Sequence, residues 1–443
     1  MNKFWFLGTA LALWCGCAPS LGATQMIIIS LETASRYDFH LWVPFGSTKD
    51  TVPGIAHVLE HLKFKSGGEH GLRALDKIPG SNSNASTNWN YTRYDLSIDA
   101  NHLAEAVTAL SGITQPLNIT PDDLTREKEI VKQELFQRYN GNPDTPFFLE
   151  FSAKLFEGSE MAVLPGGTQT SVESVQYADV LQFDAAHYQG SDSYLILAGP
   201  PLSEDTKIIL EKAFPDSNQA KIEVNRKRNV SFFDAEMRSA GPFLMAKKSM
   251  SVAASQFTKE ASSEHITSTR LVYSKLSNGA TSMTNILAAK IVEKAVASRL
   301  KEGLRDKIAE DAGLVSDYFF AITAETDNLW KQEFYGELST GVAPEMVSQL
   351  VKSYLHSLAA TGLSAESFER LRTRYFLRDE WDDSDNRIEK LGDMAVNYGY
   401  SGAADEYQNL KQLTVQDVNG LLKILDADGR EGVGILLPKA AQP

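Results

Sequence analysis

Gly54-Ile55-Ala56-His57-Val58-Leu59-Glu60-His61, running on through Leu62, Lys63, Phe64 and Lys65, is the stretch on which the rest of the chain turns. Written as a helix, it sets His57 and His61 one turn apart with both imidazoles on one face. Two imidazoles at that spacing can hold one divalent metal, and Zn²⁺ is the usual choice for nitrogen ligands. Glu60, three residues after His57, lies on the same side, within reach of a metal-bound water. Ile55, Val58, Leu59 and Leu62 supply the apolar surface. The competing reading is a histidine-bearing amphipathic helix, and a metal site needs a third ligand and a cleft from elsewhere in the chain.

The 443 residues suggest two domains or more. With 43% hydrophobic and 23% charged residues the composition is that of a globular protein. A net charge of −14 argues against a nucleic-acid binder, which needs a basic surface to replace counterions. Lys3, the apolar run from Phe4 to Trp14 and the small residues Ser20, Gly22 and Ala23 read as a secretory signal peptide over residues 1–23. A lipoprotein anchor at Cys17 is the competing reading, suited by Gly16 but not by Trp14 and Cys15. Both cysteines, Cys15 and Cys17, fall in this segment, so the mature chain has no thiol to bind metal or attack a substrate. Any metal must be held by His, Asp or Glu. No later stretch is apolar for long enough to span a membrane, and the mature chain is expected to be soluble, periplasmic or secreted.

Met26 to Leu31 and Tyr37 to Val43 have strand character, the second alternating at period two. His40 there reads as a strand residue facing solvent or a neighbour. Pro79 to Asn88 is small and polar and taken alone reads as a loop, followed by a strand at Tyr94–Ile98. Thr120, Pro121, Asp122 and Asp123 then announce a helix N-terminus. Leu124, Val131 and Leu135 mark its buried stripe, and Glu127 and Glu134, two turns apart, border that stripe. Glu129 and Lys132 read as solvated. A buried carboxylate is costly unless paired or bound to metal, so Glu127 and Glu134 supply the candidate third ligand.

Four separated stretches carry a family resemblance: His57-Val58-Leu59-Glu60-His61 with Phe64-Lys65; Asn84-Ala85-Ser86-Thr87 leading to Thr92 and Tyr94; Glu127 to Glu134; and Tyr188 ahead of Tyr194-Leu195-Ile196-Leu197-Ala198-Gly199. In order and spacing the chain resembles the inverted-motif zinc peptidases of the pitrilysin, insulysin and mitochondrial processing peptidase type, in particular their short bacterial members. The interval from His61 to Glu134 is slightly shorter than is usual there. The resemblance implies His57, His61 and Glu134 as zinc ligands and Glu60 as the base that activates a zinc-bound water. It implies Glu127 as a supporting carboxylate, orienting His57 or His61. It also places Asn84 and Ala85 on an edge strand that receives the substrate backbone, against the loop reading.

Residues 226–250, polar and basic with Arg226-Lys227-Arg228 and Gly241-Pro242, read as a linker between a zinc-bearing domain at 24–225 and a second domain at 251–443. The second domain shows a strand at Thr269–Tyr273, helices near 284–308, 345–360 and 364–375, and a final strand at Val433–Leu437. It has no His-x-x-Glu-His, and His265 and His356 read as structural or solvent-facing. By the resemblance this half supplies an arginine and a tyrosine that hold the substrate carbonyl. Arg305 fits the arginine. Ser316 falls at the expected tyrosine and Tyr318 two positions on, so either Tyr318 fills the role or a related subunit does. The expected fold is α+β, two homologous domains with antiparallel-dominated sheets, paired as a clam-shell homodimer or as a heterodimer with a related subunit carrying the Arg/Tyr pair. The expected activity is zinc-dependent hydrolysis of peptides or unfolded chains. The alternatives are a processing role on one partner peptide and a non-catalytic binding subunit of the same fold.

Overall fold

A computed structural model describes residues 24–439 except 31–33, 142–143, 190, 192, 216–217, 226–229, 234–249, 299–302, 306, 309–311 and 378–409. The expected signal peptide with Cys17, and most of the expected linker, lie outside the described residues. The first half forms strands β1 (Thr24–Ser30), β2 (Arg36–Val43), β3 (Asn82–Thr87), β4 (Thr92–Asp99), β5 (Ser193–Gly199), β6 (Asn218–Asn225) and β7 (Val230–Phe233). Its helices are α1 (Ile55–Lys65), α2 (Leu72–Leu75), α3 (Leu103–Ser111), α4 (Pro121–Gly141), α5 (Thr145–Leu155), α6 (Gln169–Ser174), α7 (Tyr177–His187) and α8 (Glu204–Ala213). The second half forms β8 (Ser255–Ser263), β9 (Arg270–Asn278), β10 (Val315–Thr326), β11 (Leu329–Leu338) and β12 (Gly429–Pro438). With them go α9 (Met283–Val296), α10 (Pro344–Thr361), α11 (Ala365–Leu377) and α12 (Val415–Asp426).

Each half builds one sheet. The first has the order β3-β4-β2-β5-β1-β6-β7 and the second β10-β11-β9-β12-β8. The second order repeats the first five strands of the first, and the parallel pair falls in the same place, β1 with β5 and β8 with β12. The remaining pairs are antiparallel except β1 with β6. This is the expected α+β class with antiparallel-dominated sheets. β7 is a difference: it lies within the residues expected as linker, yet pairs with β6 through Ile222 and Phe233.

The period-two pattern of β2 resolves as expected, with Tyr37, Phe39, Leu41 and Val43 in the first core. His40 sits with its Nδ1 2.6 Å from Asp95 on β4. The start of α4 is capped reciprocally: Asp123 N donates to Thr120 Oγ1 at 3.2 Å, and Thr120 N donates to Asp123 Oδ2 at 2.9 Å. Leu124, Val131 and Leu135 then turn into the core beside Ile55, Val58, Leu59 and Leu62 of α1. Each such side chain contributes about 1.5–3 kcal/mol by leaving water, so the α1–α4 packing that sets the histidines opposite Glu134 is firmly held.

One charged residue of α1 points the wrong way for a solvated helix. Lys63 Nζ lies 2.5 Å from Asp184 of α7, both side chains fully buried, and donates to Gln115 O at 2.7 Å. Asp184 also accepts from Leu117 N and Gln189 Nε2 at 2.9 and 2.8 Å. Burial pulls the Lys63 pKa down, and the Asp184 charge opposes that. The two halves join through α5: Phe147, Phe151 and Leu155 pack with Val272, Leu276 and Leu436, and Arg270 Nε lies 3.3 Å from Asp144 Oδ2.

Candidate metal centre

The metal-site geometry begins at the entry to α1. Gly54 has φ 93°, a left-handed conformation that glycine adopts without strain, and a Cβ there would lie 2.6 Å from Gly166 O. Asp50 accepts from Gly54 N at 2.6 Å and from Ala56 N at 3.1 Å, satisfying donors that the helix start leaves open. Gly167, at φ 68°, comes equally close to Pro53 O, where a Cβ would lie at 2.5 Å. The 166–167 loop therefore clamps the first turn of α1, and with it the height of His57 above the sheet.

His57 and His61 project from α1 with ring centroids 4.9 Å apart and planes at 82°. Glu134 reaches across from α4. Its Oε2 lies 3.6 Å from His57 Nε2 and 3.5 Å from His61 Nε2. Ligands at about 2.0–2.1 Å from a tetrahedral zinc stand roughly 3.4 Å from one another, so both carboxylate-to-imidazole distances suit one such ion. The donor chemistry fits as well: two nitrogens and a carboxylate, with no cysteine among the described residues. The His57 imidazole is pushed down to about 4 by burial, then by the neighbouring His61, which keeps it neutral as a ligand must be. Burial would also lower His61, but Glu127 and Glu134 override it and raise that imidazole to about 9, so a metal binding at this ring displaces a proton.

Glu60 also comes within 4.8 Å of both histidines. Two features distinguish it from Glu134. Thr87 Oγ1 donates to Glu60 Oε2 at 2.6 Å, fixing the carboxyl against β3. Burial raises Glu60 to about 7 against the lowering effect of that hydrogen bond. A carboxyl held near neutrality and tied to a strand is suited to carrying a proton rather than to ligating. Glu134 is held below its usual range, first by its contact with His61, and stays an anion.

Glu127 stands behind His61, not His57: its Oε2 is 3.6 Å from His61 Nδ1, the ring nitrogen turned away from Glu134. Burial works against its charge, but His61, Arg73 and Lys65 hold the Glu127 carboxyl below the usual carboxylate range, Arg73 at 3.2 Å. His57 Nδ1 is buried with no hydrogen-bond partner among the described residues. The sequence gives no local sign of Asp50, Thr87 or Arg73 as supports, because each acts across a turn or from another element.

The residues form one wall of an open cavity of about 490 Å³, lined also by Ser83, Asn84, Ala85, Ser86 and Thr87. These belong to β3, an edge strand whose single sheet neighbour among the described residues is β4. The small polar segment that alone reads as a loop is a strand because β4 offers a full antiparallel register, Asn82 to Ser97 through Thr87 to Thr92. Arg305 and Tyr318 do not line this cavity. Arg305 follows α9 beside Leu304, which is buried in the second core. Tyr318 on β10 stacks on Phe334 at 5.9 Å and packs against the second core. Among the solitary histidines of this half, His356 Nδ1 lies 3.0 Å from Asp426.

Comparison with known proteins agrees with this geometry. Residues 25–161 match the family described as insulinase, peptidase family M16. The zinc protease PqqE of Helicobacter pylori is 26% identical over 196 residues, 43% of this chain and 44% of that protein, so the match spans less than half of that relative's length. A zinc protease of Mycobacterium leprae, ML0855, is 24% identical over 438 residues, 96% of this chain and 92% of that one. The crystal structure of a protease from Helicobacter pylori superposes with a TM-score of 0.71 at 18% identity, covering 93% of this chain and 96% of the other. That likeness concerns the fold. Among the described residues no helix is long and apolar enough to cross a membrane.

Proposed function

We propose that this chain, whose residues 25–161 make it a member of the insulinase-type peptidase family M16, is a zinc-dependent endopeptidase whose ligands are His57, His61 and Glu134. The observation that carries the reading is the single Glu134 oxygen set 3.6 and 3.5 Å from the two Nε2 atoms, with Glu60 beside it but tied to Thr87. Bound there, zinc supplies a Lewis acid that polarises the scissile carbonyl and acidifies water. The chain's own residues do the rest. The free edge of β3 offers backbone donors and acceptors to an extended peptide, with Asn84 and Ala85 in its middle. Glu60 takes the proton of the attacking water and passes it to the leaving amine. Glu127 holds the His61 ring in one orientation.

The same reading takes the substrates to be peptides or unfolded chains, which can lie extended along β3. It places the chain in the periplasm or outside the cell, on the strength of the leader-like residues 1–23. Arg305 and Tyr318 do not line the cavity, and in this reading the groups that hold the substrate carbonyl come from a second subunit. A clam-shell homodimer provides them if Tyr318 serves; a heterodimer with a related Arg/Tyr-bearing subunit does so otherwise.

The test is hydrolysis of an unstructured peptide by the purified chain. Cleavage abolished by a chelator and restored by zinc is the expected result. A zinc-loaded chain that is inert alone and active when mixed with such a subunit supports the heterodimer. A chain inert under both conditions contradicts the peptidase reading.

A further inference from the structure

Nearly every charged side chain at the cavity is engaged. Arg73 is held by Glu127, Asp76 accepts from Ser83 Oγ at 2.6 Å, Glu60 accepts from Thr87, and the remaining carboxylates face the histidines. Arg138 differs: its charge acts on His57, Glu60 and Glu134 from a distance only. It lines the cavity from α4, one turn beyond Glu134, and no hydrogen bond or ion pair holds it among the described residues. On a helix that step is about 6 Å along the axis. The guanidinium lies at the Gly166 end of the cavity: a Cβ on Gly166 would be 3.6 Å from both Arg138 Nη1 and His57 Nδ1. Asp76 and Ser83 line the cavity at the other end of β3 from Thr87. Beyond the Thr87 end of β3, Trp89 Nε1 donates to Val163 O at 3.0 Å, which ties that end to the segment leading into Gly166 and so to the Arg138 side of the cavity.

We propose that Arg138 selects substrates by a carboxylate placed on the Thr87 side of the scissile bond. The inference rests on the peptidase reading of the same site and adds the substrate class. Peptide on a strand edge advances about 3.3 Å per residue, so Arg138 meets a residue roughly two or three positions from the bond that breaks. Strand polarity decides the source of the carboxylate. A peptide antiparallel to β3 lays its upstream residues beside Arg138, where only an acidic side chain has a carboxylate to offer. A parallel peptide lays its downstream residues there, and its C-terminal carboxylate competes for the same guanidinium. Either is a bidentate, charge-assisted contact. The chain's net charge of −14 does not prevent this. Salt screens distant charges beyond about 8 Å, so the overall charge slows the approach of an acidic peptide while the contact sets its selection.

The experiment uses the zinc-loaded full chain and its active assembly. Unstructured peptides carry Glu, Gln or Lys at each of three positions on either side of the cleaved bond, with free or amidated C-termini. Glu is expected to exceed Gln by roughly ten- to a hundredfold in kcat/KM at one position. Arg138→Ala is expected to level the two, and Arg138→Glu to favour Lys. If amidation, not the Glu-to-Gln change, removes the advantage, the carboxylate is the terminal one. An influence of Arg138 on the site's electrostatics alone would move all peptides together and leave the ratios unchanged.

Binding of the same peptides to the Glu60→Gln chain, read by fluorescence anisotropy, gives the ranking without hydrolysis. Cleavage with no charge selectivity, or a Glu preference that survives Arg138→Glu, overturns the proposal and leaves the peptidase reading intact. Arg138-dependent binding of the Glu peptide with no cleavage of any peptide does the reverse.

Discussion

Glu60→Gln is expected to lower kcat/KM for peptide hydrolysis by about 10²–10⁴-fold while the chain keeps its zinc. Glutamine has the shape of glutamate and can still accept from Thr87 Oγ1, so the 2.6 Å contact that seats this side chain against β3 survives. What disappears is the ability to take up and release a proton. Glu60 is well prepared for that exchange, since burial holds its carboxyl near 7. The loss should fall on kcat with little change in KM, because peptide is held by the β3 backbone rather than by Glu60. Steady-state kinetics on one peptide, with metal analysis of the same preparation, checks both halves of this expectation. A variant that retains most of its activity would remove Glu60 from the proton path.

Lys63→Ala is expected to destabilise the fold by about 3–5 kcal/mol, the largest stability effect of a single substitution near the site. The cost does not measure the worth of the ion pair. It comes from leaving Asp184 charged and fully buried with its cation gone. Replacing both partners, as Lys63→Met with Asp184→Leu, is expected to recover part of the loss. The recovery is incomplete because Leu117 N and Gln189 then lack their acceptor. Chemical denaturation of wild type and the two variants gives the comparison. A Lys63→Ala chain within about 0.5 kcal/mol of wild type would contradict the view that Asp184 depends on Lys63 for compensation. Since α1 carries His57 and His61 on its opposite side, this pair also fixes the helix from beneath.

The parts of the site that could be read from the sequence are those written in helix periodicity. His57, Glu60 and His61 fall one turn apart on α1, and Glu127 and Glu134 two turns apart on α4, so each set shares a face whatever the surrounding fold. The apolar stripe Leu124, Val131 and Leu135 turned the second set inward, and the family resemblance joined the two helices across the sequence between them. β3 was legible only through that resemblance, since Asn82–Thr87 has no strand propensity of its own and is a strand because β4 pairs with it. Lys63 looks like any surface lysine of an amphipathic helix, and its partner lies in α7, far along the chain. Arg138 likewise reads as a solvated helix charge until the cavity around it is seen. The repeat of the first sheet's order in the second was visible as a similar succession of elements, whereas β7 was lost in a polar, basic segment that resembles a connector. Nothing local marks where Arg305 and Tyr318 stand, because that depends on how the second sheet presents β10.

Zinc content of purified wild type, Glu60→Gln and Glu134→Gln separates the two carboxylates that approach the histidines. One zinc per chain is expected in the wild type and in Glu60→Gln, with a clear loss in Glu134→Gln, whose amide oxygen is a far weaker ligand. A zinc-free wild type would contradict the metal site itself, and a Glu60→Gln chain that loses zinc while Glu134→Gln retains it would reverse the assignment of ligand and base.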